Sequence, residues 1–155
     1  MAERLRCFIC IDMPEEAMKE IARIQEQLNK KLKFIGKTTE LENLHLTLKF
    51  LGEINEETIK KVQEKLSAIN FPPIKAKLGK IGVFSRHQPK ILWAEIQGRI
   101  NHLQKQVDES LKDIFPIENR FMAHMTLARI KYVKDIKYTI EYIKHLRIKP
   151  IIFEI

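Results

Sequence analysis

Leu44-His45-Leu46-Thr47-Leu48 and Ala123-His124-Met125-Thr126-Leu127 repeat one pattern, and reading both as strands decides the fold. Each is an apolar run carrying a histidine and a threonine two positions apart. Alternate side chains of a strand share a face. His45 and Thr47 then point one way, and Leu46 and Leu48 the other. His124 and Thr126 stand against Met125 and Leu127 in the same manner. Each strand therefore offers an imidazole beside a hydroxyl. Packing the halves about a pseudo-twofold axis turns both pairs into one cleft. Arg129 follows Thr126 by three residues, so strict alternation puts it on the opposite face. A bulge or twist at the strand end is needed to return it to the cleft.

Working outward, residues 5–11 read as a buried strand entering a helix, with Asp12 as its cap and Pro14 in the first turn. Ala17, Met18, Ile21, Ile24, Leu28 and Leu32 recur at helical spacing. After a strand at 44–51, Asn55 caps a second helix carrying Ile59, Val62, Leu66 and Ile69, with Glu56–Lys60 and Glu57–Lys61 spaced to pair. Phe71-Pro72-Pro73 stops it. Strands at 74–82 and 91–97 look like a hairpin. Ile100, Leu103, Val107, Leu111 and Ile114 mark a third helix, 121–130 a strand, Ile136, Ile140, Ile143 and Leu146 a fourth helix, and 151–155 a last strand. The expected class is α+β, with mainly antiparallel sheets and flanking helices. No glycine-rich phosphate loop is present; Gly79 and Gly82 do not make a nucleotide fingerprint.

The chain has 155 residues, which predicts one domain over 1–155. With 45% hydrophobic and 31% charged residues it is neither disordered nor fibrous. Lys plus Arg is 28 against 20 Asp plus Glu, a net charge of +8 that favours an anionic partner. No apolar run is long enough to span a membrane or serve as a secretory leader, so a cytoplasmic protein with no membrane partner is expected. Cys7 and Cys10 spell C-x-x-C. On a strand their side chains face opposite ways, so they read as two small core residues rather than a redox pair or half a zinc site.

Two histidines and two threonines suit phosphodiester chemistry. One neutral imidazole takes a proton from the attacking group while one imidazolium protonates the leaving oxygen, and an unperturbed histidine supplies both forms near neutrality. Thr47 and Thr126 can donate to non-bridging phosphate oxygens, and Arg129 can neutralise charge building on the phosphorus. A metal site is the rival reading, but neither motif supplies a further ligand at ligand spacing, so no metal is expected. His87, His102 and His145 lack the pattern and are expected on the surface.

Longer stretches carry a family resemblance. Arg6-Cys7-Phe8-Ile9-Cys10-Ile11-Asp12-Met13-Pro14-Glu15, Glu42-Asn43 running into the first motif, Lys49-Phe50-Leu51-Gly52 after it, Ile91-Leu92-Trp93-Ala94, and Asn119-Arg120-Phe121-Met122 leading into the second motif resemble the 2H phosphoesterase superfamily. More closely they resemble its RNA 2′,3′-cyclic phosphodiesterases, long called 2′-5′ RNA ligases. The resemblance runs nearly end to end. It implies a two-lobed, pseudo-twofold 2H phosphoesterase-like fold with a basic cleft between the lobes. It implies His45 and His124 as the catalytic pair, His45 as general acid and His124 as general base, with Thr47 and Thr126 on the phosphate. The implied reaction opens an RNA 2′,3′-cyclic phosphate to a 2′-phosphate, with 2′-5′ joining of tRNA halves as a second activity. No metal or nucleotide cofactor is implied, because the cyclic ester supplies its own strain. A monomer is expected.

Two departures stand out. Ala123 occupies the position before the second histidine where the family usually has proline, and relatives usually continue through further strand beyond the point where this chain ends. Further RNA contacts are expected from Lys49, Arg86, Lys90, Arg120 and Lys131, with Phe50, Phe84 or Trp93 as stacking candidates and Trp93 better suited to the core. Two other readings fit the same residues: a basic RNA-binding module without catalysis, and a phosphoesterase for small cyclic nucleotides such as ADP-ribose 1″,2″-cyclic phosphate.

Overall fold

The computed structural model describes residues 3–85 and 87–154, so Arg86 and Ile155 lie outside the described residues. The elements run β1 (Arg4–Asp12), α1 (Glu15–Leu32), β2 (Ile35–Thr38), β3 (His45–Asn55), α2 (Glu56–Ser67), β4 (Lys75–Phe84), β5 (Ile91–Gly98), α3 (Ile100–Leu111), β6 (His124–Tyr132), α4 (Ile136–His145) and β7 (Ile152–Glu154). They build two sheets, one of β1 and β3, the other ordered β2-β6-β5-β4-β7. Every pairing is antiparallel. The α+β class holds, and β4 and β5 form the expected hairpin.

The two motif strands begin at their histidines and carry the same burial sequence over their first six residues. Their apolar sides close the core: Leu46, Met125 and Leu127 are wholly buried and Leu48 nearly so. Ile21, Ile24 and Leu28 of α1 join the same core, as do Leu103, Val107 and Leu111 of α3. Each such side chain contributes about 1.5–3 kcal/mol on burial. The helices cross over: α3 lies against β3 and α1 against β6. Each motif strand is thus backed by the helix of the opposite half. Asn55 caps α2 as expected, its Oδ1 accepting from the Thr58 amide at 2.9 Å, and both predicted i,i+4 pairs form.

Four local expectations are corrected. Strand β2 is absent from the sequence reading because it is short, exposed and without alternation; long-range pairing to β6 creates it. Strand β1 is largely exposed rather than buried, because within its sheet it pairs only with β3. Cys10 is accordingly exposed and Cys7 half-buried, both as free thiols, so neither belongs to the core. Asp12 ends β1 and does not cap α1, whose N-cap is Pro14 without a side-chain bond. No described helix is long and apolar enough to cross a membrane.

Candidate active site

His45, Thr47, His124, Thr126 and Arg129 line one cavity of about 810 Å³, within the size range of ligand sites. The cavity lies where β3 and β6 approach each other. Both strands solve the same geometric problem. Opposite β1, Ile9 pairs with Lys49 and Cys10 with Thr47, leaving Leu48 as an extra residue. Opposite β5, Leu92 pairs with Ala128 and Trp93 with Thr126, leaving Leu127 as the extra one. Each bulge falls three residues after its histidine. A bulge breaks alternation, so two consecutive side chains turn inward: Leu48 with Lys49, and Leu127 with Ala128. The next residue then points back to the cleft. That residue is Phe50 on β3 and Arg129 on β6, and both line the cavity. The bulge that Arg129 requires is therefore present. On β3 a second irregularity follows at Leu51 and Gly52, where φ is +72°, a conformation glycine adopts at little cost.

The bulges are tied from behind by buried polar groups. The Leu127 carbonyl accepts from the Thr39 amide at 2.8 Å and from Gln25 Nε2 at 3.0 Å. Gln25 sits on α1 and also donates to the Thr39 carbonyl at 2.9 Å. On the other side Lys49 is turned into the core, where it pairs with Asp108 of α3 and donates to the Pro116 carbonyl at 2.7 Å. Gln104 Nε2 and the Glu118 amide complete the Asp108 carboxylate at 2.8 and 3.0 Å. Burial alone pushes the Asp108 carboxyl up, but these three donors outweigh it and hold it below the usual carboxylate range. Lys49 thus lines the cavity but is only 7% exposed and paired with Asp108, rather than free on the surface.

The two histidines have different neighbours. His124 Nδ1 lies 2.8 Å from the Met122 carbonyl. A carbonyl only accepts, so Nδ1 carries a proton and, in the neutral ring, Nε2 holds the lone pair. Phe84 stands edge-on to this ring at 5.3 Å and Trp93 at 6.4 Å. His45 Nε2 lies 3.5 Å from Asp12 Oδ1, an acceptor for a ring N–H. Phe8 stands 6.4 Å from His45 and 6.2 Å from Phe50. Strand register repeats the acid: Asp12 is the cross-strand partner of His45, and Glu95 that of His124.

The other candidates divide. Arg120 lines the cavity, whereas Lys90 and Lys131 are not part of its described wall. Phe50 is 77% exposed and available for stacking. Trp93, at 8%, belongs to the interior and packs over Gly82. His87, His102 and His145 are exposed, as expected. Phe8 and Asp12 had no motif to mark them; their signal is register, since each pairs across the strand with a residue of the first motif region.

Residues 11–93, just over half the chain, match the model of the LigT-like phosphoesterases. The chain belongs to this family. A relative from Methanocaldococcus jannaschii named RNA 2′,3′-cyclic phosphodiesterase is 37% identical over 136 residues, covering 86% of this phosphoesterase and 76% of the relative. One of the same name from Archaeoglobus fulgidus is 32% identical, covering 82% and 73%. Among solved structures, TT0787 of Thermus thermophilus superposes with a TM-score of 0.75 at 24% identity, over 97% of this chain and 82% of that one. E. coli LigT complexed with phosphate superposes with a TM-score of 0.71 at 23% identity, over 99% and 83%. These likenesses establish the two-sheet fold of the phosphoesterase.

Proposed function

We propose that this phosphoesterase opens RNA 2′,3′-cyclic phosphate ends to 2′-phosphates, with His124 as general base and His45 as general acid. The observation that carries this reading is the convergence of both histidine–threonine pairs and Arg129 on one cavity. His124 Nε2 takes a proton from water as its oxygen attacks phosphorus. The P–O3′ bond breaks, and the 3′-oxygen leaves with a proton from the His45 ring. The Met122 carbonyl supports the first role by holding the His124 proton on Nδ1. The Asp12 carboxylate supports the second, since it pairs only with a ring N–H. Thr47 and Thr126 donate to the non-bridging oxygens, and Arg129 offsets the charge that grows on them. Two imidazoles suffice for the proton transfers, so the reaction needs neither metal nor nucleotide.

The shared name of the relatives supports an RNA end as substrate, and so does the net charge of +8. A 5′-hydroxyl in place of water gives the 2′-5′ joining of tRNA halves from the same site. One chain carries both motif strands into the cavity, which supports a monomer as the active unit. The free thiols of Cys7 and Cys10 suit the reducing cytoplasm. The test is a short RNA ending in a 2′,3′-cyclic phosphate, incubated with the protein in EDTA without ATP and read by mass and phosphatase sensitivity. A 2′-phosphate product supports the reading. A 3′-phosphate product, or binding without turnover, overturns it.

A further inference from the structure

We infer that Lys37 and Arg129 form a two-cation step in which Arg129 serves the reacting phosphate and Lys37 holds the next phosphate along the RNA. The inference rests on the cyclic phosphodiester reading above and specifies its substrate as an oligonucleotide. Strand β2 runs antiparallel to β6 with Lys37 opposite Arg129. Cross-strand partners share a face with Cβ atoms about 4.5–5.5 Å apart, and like charges so placed repel. Both side chains line the same cavity. Their juxtaposition is costly to the free protein and becomes favourable when an anion lies over each.

The backbone is arranged to permit this approach. A Cβ on Gly36 would lie 2.1 Å from the Arg129 carbonyl oxygen, closer than any side chain allows, so glycine is what lets β2 close on β6 there. Lys37 reaches only Glu40 within the described residues, at 3.6 Å and with both side chains largely in solvent. Such a pair is weak and yields to a phosphate. The chemistry of the substrate then fixes the direction. An RNA ending in a 2′,3′-cyclic phosphate has no chain beyond that group, so a second phosphate can come only from the 5′ side. A cyclic mononucleotide has none. Lys37 therefore distinguishes an RNA end from a small cyclic nucleotide while leaving the reacting phosphate to Arg129.

The experiment compares Lys37→Ala, Lys37→Glu and Lys37→Arg with the parent protein on two substrates. These are a nucleoside 2′,3′-cyclic monophosphate and a five-nucleotide RNA with the same cyclic end. For the RNA, Lys37→Ala raises KM about tenfold with kcat kept. The slope of log(kcat/KM) against log[salt] shallows by about 0.7, the value for one fewer neutralised phosphate on a single strand. Lys37→Glu is worse and Lys37→Arg restores most of the loss. For the mononucleotide, Lys37→Ala and Lys37→Arg leave kcat/KM within about twofold of the parent, whereas Lys37→Glu, able to pair with Arg129 across the strands, also lowers it. Equal losses on both substrates, or no loss on the RNA, overturn the inference. If the parent protein turns over neither substrate, the catalytic reading fails instead. Lys37 is then judged by anisotropy titration of a labelled five-nucleotide RNA bearing a 3′-terminal phosphate: an unchanged affinity in Lys37→Ala overturns it, and a tenfold weaker one sustains it.

Discussion

Strands β3 and β6 are built alike and finished differently. Both start at a histidine, both bulge three residues later, and both return the fifth residue after it to the cavity. That residue is an exposed aromatic in one and a guanidinium in the other. Behind the bulge, β3 is backed by a buried Lys49–Asp108 ion pair, while β6 is backed by neutral donors, the Gln25 side-chain amide and the Thr39 backbone amide. Beside the histidines, β1 contributes Phe8, Cys10 and Asp12 at the register positions where β5 contributes Ile91, Trp93 and Glu95. Shared backbone and divergent side chains teach that the symmetry brings two imidazoles to one cavity; in the proposed mechanism these transfer the protons, and the departures divide the labour, with Phe50 proposed to stack a base and Arg129 to neutralise charge.

The histidines are where the two strands should be equally indispensable. His45→Ala and His124→Ala each lower turnover about 10²–10⁴-fold, while salt-sensitive RNA binding persists in both. If one substitution leaves turnover near normal, the symmetric account is broken. Next come the residues after the bulges, which should behave unlike each other. Arg129→Ala lowers kcat about 10²–10³-fold, as loss of a transition-state donor does. Phe50→Ala costs about 1–3 kcal/mol of base stacking, seen as a raised KM with kcat kept. A similar kcat loss in both variants would erase the division of labour.

The supports behind the bulges have smaller effects on rate and act mainly on stability. Asp108→Asn leaves the buried Lys49 unpaired and destabilises by about 3–5 kcal/mol, read as a lowered Tm. Asp108 and Glu20 also set the acid limit. Burial pushes the Glu20 carboxyl up, but hydrogen bonds from Arg23 and the Lys149 amide outweigh it and hold it low, as the donors around Asp108 do. A carboxylate depressed on folding lends stability above its unfolded pKa and withdraws it as pH falls through the folded one. Tm therefore declines below about pH 4, and Asp108→Asn shows a shallower decline. Gln25→Ala is the mildest change. The Leu127 carbonyl keeps the Thr39 amide, so the loss is about 1 kcal/mol.

The strands, helices and cleft residues of the site were legible because their signals are local. His-x-Thr in an apolar run reads as a half-buried strand, and the Asn55 cap is a matter of one side chain and one amide. The resemblance pointed to the same pair of strands. What the sequence hid is set by pairing between distant segments. The exposed Gly36-Lys37 stretch of β2 has no pattern of its own and becomes a strand only against β6. Lys49 reads as a surface lysine until the Leu48 bulge turns it inward to Asp108. Asp12 reads as a helix cap until register sets it beside His45. The need for a bulge before Arg129 was legible; that β3 carries the same bulge was not.

The acid and base roles are most directly tested by pH profiles of kcat/KM on the cyclic-phosphate RNA, in EDTA, for the parent protein and the two histidine variants. The parent gives a bell. The residual rate of His124→Ala loses the rising acidic limb, because the base is gone, and that of His45→Ala loses the falling alkaline limb, because the acid is gone. Limbs exchanged between the two variants would reverse the roles. A bell unchanged in both would contradict two-histidine catalysis outright.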